Sequence, residues 1–165
     1  MSPLLMLAAA VGMPINLLPP EPPPVYASAL PTVPGVDNPK VTQATIGSTI
    51  CVANWTKTVR PPTSYTNKLK RQLMISQHLP GKAADYELDH FLSIEDGGSP
   101  DSADNLWMQP YAEPYGARTK DKVETRIHAL ICKGKISLDV GRNALRTDWV
   151  AAYVRYVGPL KGITP

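Results

Sequence analysis

The chain has 165 residues with a net charge of +3 at pH 7, and 43% of its residues are hydrophobic. This length and hydrophobic share are enough for one domain with its own core. The sequence contains only two cysteines and therefore lacks the paired Cys-x-x-Cys motifs of a structural zinc site. We expect no structural zinc.

The first 39 residues differ in composition from the rest of the chain. They hold ten of the 18 prolines and no Lys or Arg. We therefore expect residues 1–39 to be a disordered or removed proline-rich arm, and residues 40–165 to form the folded domain. Between residues 40 and 82 there are seven basic residues and no acidic one. Such a basic half attracts the phosphate backbone of a nucleic acid, although a solvated basic face has the same composition.

The arm contains an apolar segment from Leu4 to Leu18. Its length is typical of the core of a secretory signal peptide, and with Pro14 inside it the segment is too short for a stable membrane span. An Ala-x-Ala pattern follows at residues 27 to 29, although no basic residue precedes the segment. We expect an exported, secreted bacterial protein. A cytoplasmic chain with a disordered arm and a membrane-anchored chain are the alternatives.

The two cysteines, Cys51 and Cys132, allow two interpretations. They could form one disulfide that closes a loop of about 80 residues, which would stabilise the fold by roughly 4 kcal/mol and would favour an oxidising compartment. Alternatively they are two buried thiols, because each lies in an apolar segment of the sequence.

The first predicted elements lie in the basic half. Residues 41 to 59 alternate Thr, Ile and Val, which predicts a strand that ends at the prolines after Arg60. A helix is predicted over residues 63 to 77, with Thr63 or Ser64 as its N-cap, because apolar residues recur there at helical spacing.

A strand, a turn and a second apolar step follow. Residues 86 to 94 are apolar and rich in β-type residues, which predicts the first strand of a hairpin. Gly97 and Gly98 permit the backbone angles of a tight return. Asn105 then precedes the second apolar segment, Leu-Trp-Met.

The candidate metal-binding and proton-accepting residues lie in this central region. Residues 85 to 113 contain eight carboxylates and no Lys or Arg, which suits a hard divalent cation. The adjacent pair Asp89 and His90 adds a side chain that can act as a base near neutral pH. The pair alone could also be a surface carboxylate beside a hydrogen-bonded histidine. Together with the motifs that follow it, the pair indicates a metal-dependent hydrolytic site.

Two helices complete the domain. Residues 118 to 133 have an apolar stripe at helical spacing, and their other face is predicted to display basic residues, among them Arg118 and Lys120, which would hold phosphates beside the site. After a stop at Gly134, Ser137 is predicted to cap a last helix that extends to about Tyr156. Its buried side is predicted to comprise Leu138, Leu145, Trp149, Ala152 and Tyr153.

The order of these motifs resembles the HNH (ββα-metal) endonuclease superfamily. The residues that carry the resemblance read YELDH, then GGS, NLW and GARTKDKVE, as in small bacterial HNH-like proteins. The resemblance covers most of residues 50 to 157. It implies an α+β fold in which a ββα-metal centre is wrapped by helices.

The resemblance also implies roles for three residues. Asp89 would bind the catalytic cation, which is Mg²⁺ or alternatively Mn²⁺, His90 would be the general base, and Asn105 would hold the loop and orient the histidine. The His or Asn with which the superfamily completes the metal site at the start of the helix has no match here. One of three carboxylates would have to replace it, or water would: Glu113, Asp121 and Glu124.

The expected function is therefore hydrolysis of phosphodiester bonds, with DNA as the expected partner. The alternative is an exported binding protein that has the fold but no complete metal site. No stable membrane span is expected, and the sequence leaves the oligomeric state open.

Overall fold

The structure is a computed structural model that describes residues 30–162. The described chain is mixed α and β, with four helices and one two-stranded antiparallel sheet. In chain order the elements are α1 (Trp55–Val59), α2 (Thr63–Ser76), β1 (Tyr86–His90), β2 (Leu106–Pro110), α3 (Ala117–Cys132) and α4 (Leu138–Tyr156).

The two strands form a hairpin that is followed directly by α3. In the antiparallel register Asp89 lies opposite Trp107, and His90 lies opposite Leu106. The strand β1 is shorter than the predicted strand of residues 86 to 94, because the chain leaves the ladder after His90 and makes a helical turn at Ile94–Asp96. The order is strand, strand, helix, as the sequence predicts for this region.

The core lies between α3 and α4. Val123 and Ile127 of α3 are fully buried, and so are Leu145 and Trp149 of α4. All five residues predicted for the inner side of α4 are buried, which confirms that prediction. The Ser137 side chain accepts a hydrogen bond from the Val140 amide at 3.2 Å and caps α4 as predicted.

The predicted strand over residues 41 to 59 is wrong. This segment makes turns and the short helix α1, and the described residues pair no strand with it. The Thr45 hydroxyl donates to the carbonyl of Lys40 and accepts from the Thr42 amide, so local hydrogen bonds replace a strand ladder. Asn54 adopts the left-handed conformation, with φ of 64°, directly before α1.

The helix α2 ends at Ser76, one residue before the predicted end, and it does not have the predicted N-cap. Its N-cap residue is Pro62, and no side chain caps its first turn. Pro62 is extended, with ψ of 148°, so Thr63 is the first residue of the helix rather than its cap.

The segment just before residue 40 is in contact with the chain that follows it. The Gly35 amide donates to the Asp104 carbonyl at 2.9 Å, the Asn38 amide donates to Gly97 at 2.9 Å, and Asp37 forms ion pairs with Arg146 and Arg142. Residues 35 to 38 therefore contact the rest of the described chain, and the boundary between residues 39 and 40 stays a prediction. The apolar segment from Leu4 to Leu18 lies outside the described residues.

A disulfide joins Cys51 to Cys132, with 5.5 Å between their Cα atoms and a sequence separation of 81 residues. The structure therefore contains the disulfide, and not the two buried thiols that were the alternative interpretation of the sequence. The bond ties the segment just before α1 to the C-terminal end of α3. None of the helices within residues 30–162 is both long and apolar enough to span a membrane.

Candidate functional site

A polar cleft of about 360 Å³ lies where α1, β1 and α3 meet. Asp89 and His90 line it from the end of β1, and Asp121 lines it from α3. Its other charged side chains are Arg60, Glu87, Glu95 and Glu124. The cleft therefore combines a histidine, several carboxylates and one exposed arginine.

His90 is positioned by the loop between the strands. Its Nε2 atom is 2.8 Å from the Pro100 carbonyl oxygen. Because a carbonyl oxygen can only accept, Nε2 carries the proton in the neutral imidazole and Nδ1 keeps a free lone pair. Burial lowers the pKa of His90, and the charge of Arg60 acts in the same direction, against the raising effects of the Pro100 bond and of Asp89. Burial thus favours the neutral imidazole, in which Nδ1 is the unprotonated nitrogen.

Asn105 fixes the same loop from inside. It is fully buried, and its Oδ1 atom accepts from the Leu92 amide at 2.9 Å. Its Nδ2 atom donates to the carbonyls of Leu92 at 2.9 Å and Ser99 at 2.8 Å. Ser99 precedes Pro100, so the asparagine holds the segment that orients His90.

Gly98 is required by the close approach of this loop to the strand end. A Cβ atom at Gly98 would lie 1.8 Å from the Leu92 carbonyl oxygen and 2.9 Å from the Asn105 amide nitrogen. Any side chain here would force the loop away from Asn105.

Lys120 is not displayed on the exposed face of α3, contrary to the prediction. It is fully buried, and its Nζ atom donates to Asp89 Oδ2 at 2.7 Å, to the His90 carbonyl at 2.8 Å, and to Glu124 Oε1. Burial by itself would lower the pKa of Lys120, but Asp89 and Glu124 outweigh it and raise that pKa. A charged lysine enclosed in this way cannot reach a phosphate in the cleft.

The carboxylates of the cleft repel one another. Burial raises the pKa of Glu87 and of Asp121, and in both cases the charge of Asp89 raises it further. Burial also raises the pKa of Glu124, against the opposing effect of Lys120. An additional cation near Asp89 would relieve this repulsion.

The cleft contains carboxylate oxygens, which are the ligand type that a hydrated divalent cation uses. Lys120 occupies one oxygen of Asp89, while Oδ1 makes no hydrogen bond within the described residues. Within residues 30–162 no three His, Cys, Asp or Glu side chains converge closely enough to enclose a metal. Mg²⁺ is commonly held through one or two carboxylates, with waters and substrate phosphates completing its shell. Asp89 and Asp121 can supply those carboxylates.

The three carboxylates considered for the missing position have different surroundings. Glu113 is exposed and accepts a hydrogen bond from Thr119 Oγ1 at 2.6 Å. Glu124 is held by Lys120. Asp121 lines the cleft, and no hydrogen bond or ion pair engages its carboxylate within the described residues.

Two arginines lie near the carboxylates of the cleft. Arg118 is exposed and its guanidinium lies 5.6 Å from the ring centre of Tyr111, whose pKa is raised by burial and by the charge of Glu87. Arg60 lines the cleft itself and has no ion pair within the described residues. Arg60 was not predicted as a site residue, because its position is set by α1, where a strand was predicted.

The buried ion pair of Lys120 and Glu124 was also not predicted, although the spacing of the two residues in the sequence indicates it. They are spaced by four residues, and Lys120 is three residues before Val123, so both lie on the buried stripe of α3. Charged residues within an apolar stripe indicate a buried ion pair.

Comparisons of this chain with protein-family models, with curated proteins and with solved structures found no match.

Proposed function

We propose that this protein is a metal-dependent endonuclease that hydrolyses phosphodiester bonds, with DNA as the expected substrate. The observation that carries the proposal is the pairing of His90 with the Pro100 carbonyl inside an acidic cleft. That pairing leaves one ring nitrogen ready to accept a proton, at the end of a strand that also carries Asp89. The resemblance of the motifs to the HNH superfamily supports the same conclusion.

In this proposal each residue has a defined task. His90 accepts a proton from water through Nδ1, the water oxygen bonds to phosphorus, and the bond from phosphorus to the 3′ oxygen breaks. Asn105 keeps the Pro100 carbonyl in place against His90. Arg60 binds a phosphate at the cleft wall.

A divalent cation held by Asp89, with Asp121 as a second carboxylate, would polarise the phosphate and stabilise the departing oxygen. Mg²⁺ is the expected ion and Mn²⁺ the alternative, because both prefer oxygen ligands. The sequence motif for structural zinc is absent, so no second metal is part of the proposal.

We also propose that the protein acts after export. The Cys51–Cys132 disulfide supports an oxidising compartment, where such bonds persist.

The proposal is tested with the full chain and supercoiled plasmid DNA, in Mg²⁺, in Mn²⁺ and in excess chelator, with an RNA of similar length in parallel. We expect cleavage that the chelator abolishes. The Asp89→Asn variant should lose at least about tenfold in rate at low metal concentration. If the folded protein cleaves neither substrate with either metal, the nuclease proposal fails and a binding protein with this fold takes its place.

A further inference from the structure

The Lys120 ammonium group lies at the junction of β1 and α3. Its three acceptors are a carboxylate of β1, a carboxylate of α3 and the carbonyl of His90, the last residue of β1. An ammonium group has three N–H bonds, and here each has one acceptor. Because the side chain is also fully buried, the ammonium is fixed in place.

This arrangement determines how Asp89 faces the cleft. Lys120 binds Oδ2 at 2.7 Å, so the carboxylate cannot rotate freely, and Oδ1 is left without a hydrogen bond within the described residues. The same ammonium holds the His90 carbonyl at 2.8 Å, which ties the end of the strand to the helix. One group thus sets the positions of the two adjacent residues on which the proposed chemistry depends.

We propose that Lys120 is a positioning residue, which holds Asp89 and the end of β1 in the arrangement that binds a divalent cation. The inference rests on the proposed function. The lysine does not touch the phosphate and acts through Asp89. Metal-bound carboxylates are commonly oriented by such hydrogen-bonded neighbours.

A buried ion pair can instead serve only the packing of the fold. In that case an apolar pair of similar volume should replace Lys120 and Glu124 without functional loss, since such replacements are often neutral or stabilising. Removing Lys120 alone would leave Glu124 buried without its partner, and the protein would risk unfolding. The informative variant is therefore the double substitution Lys120→Met with Glu124→Leu.

The double substitution has a second advantage. It removes one positive and one negative charge, so the net charge around Asp89 is unchanged. A loss of cation affinity then does not come from a change in net charge. Because Glu124 also lines the cleft, Glu124→Gln alone must bind Mn²⁺ more tightly than the double variant for the loss to report the freedom of the Asp89 carboxylate. The matched control is Lys133→Met, because Lys133 is exposed at the far end of α3.

The experiment measures Mn²⁺ binding to the full chain without nucleic acid, by titration calorimetry or by the spin resonance of free Mn²⁺, and then plasmid cleavage. Thermal unfolding and near-ultraviolet circular dichroism verify the fold of each variant. We expect the double variant to bind Mn²⁺ at least about tenfold more weakly than the wild type and to cleave about 10–100-fold more slowly. Lys133→Met should match the wild type in both measurements.

The inference is overturned if the folded double variant binds Mn²⁺ as tightly as the wild type, or if Lys133→Met weakens binding as much. Should the first pair of substitutions unfold the protein, Lys120→Leu with Glu124→Met fills the same space and is judged by the same criteria. Failure of the proposed function gives a different result, in which the wild type itself neither binds Mn²⁺ nor cleaves. That result removes the basis for the role of Lys120 without reference to any variant.

Discussion

Asn105 provides the sharpest prediction about stability. It is fully buried, and its side chain makes hydrogen bonds of 2.8 to 2.9 Å to three backbone groups, the amide and carbonyl of Leu92 and the carbonyl of Ser99. Asn105→Ala would leave all three groups without this partner. A buried polar group that loses its partner costs about 1–3 kcal/mol, so we expect the free energy of unfolding to fall by at least about 3 kcal/mol.

The measurement is urea unfolding followed by circular dichroism at pH 7. Asn67→Ala is the matched control, because Asn67 is exposed on α2 and its replacement should change the free energy of unfolding by less than about 0.5 kcal/mol. Asn105→Asp is a second probe, since it keeps the acceptor but turns an oxygen toward two carbonyl oxygens. If Asn105→Ala unfolds within about 1 kcal/mol of the wild type, the account of the loop is wrong.

Three further predictions concern the disulfide, the cleft and a buried acid. The double variant Cys51→Ser with Cys132→Ser should lose roughly 4 kcal/mol in urea unfolding, and a loss below about 1 kcal/mol would contradict the chain-entropy estimate. Arg60→Gln should raise KM for DNA about tenfold and reduce the salt dependence of binding by about one phosphate contact. Lys57→Gln is the control, because Lys57 is exposed on α1, which ends just before Arg60, and lies outside the cleft; its KM should stay within about twofold, and equal effects of the two variants would contradict the role of Arg60. Burial raises the pKa of Asp96 well above its ordinary value of 3.8, so the folded state holds the carboxyl proton of Asp96 more tightly than the unfolded state does. The stability that this protonated carboxyl group contributes is therefore lost as the pH rises above 3.8. The melting temperature of Asp96→Asn relative to the wild type should therefore increase with pH, and parallel curves from pH 4 to 8 would contradict this.

Much of the fold could be predicted because its patterns are local. The apolar stripe of α3 and the Ser137 cap of α4 follow from side-chain spacing and from one hydroxyl, and neither depends on distant contacts. The segment at residues 41 to 59 could not be predicted in the same way. Its β-branched residues suit a strand, but hydrogen bonds of the Thr45 hydroxyl and the left-handed Asn54 turn it locally.

The site was predictable in its residue types and less so in its geometry. The sequence places Asp89, His90 and Asn105 close along the chain, and the hairpin brings them into one region. It does not reveal that Lys120 is buried, because lysine is seldom enclosed and its partners are set by the packing of α3 against the end of β1. Arg60 likewise reaches the cleft through tertiary structure.

The central claim is that His90 is the base of a nuclease site. Its most direct test is the rate of plasmid cleavage by the full chain and by His90→Ala, under single-turnover conditions with saturating Mn²⁺ and with the fold verified by circular dichroism. We expect the rate to fall by at least about 100-fold, since general base catalysis typically contributes 10²–10⁴-fold. A folded His90→Ala protein that cleaves within about threefold of the wild type would contradict the account.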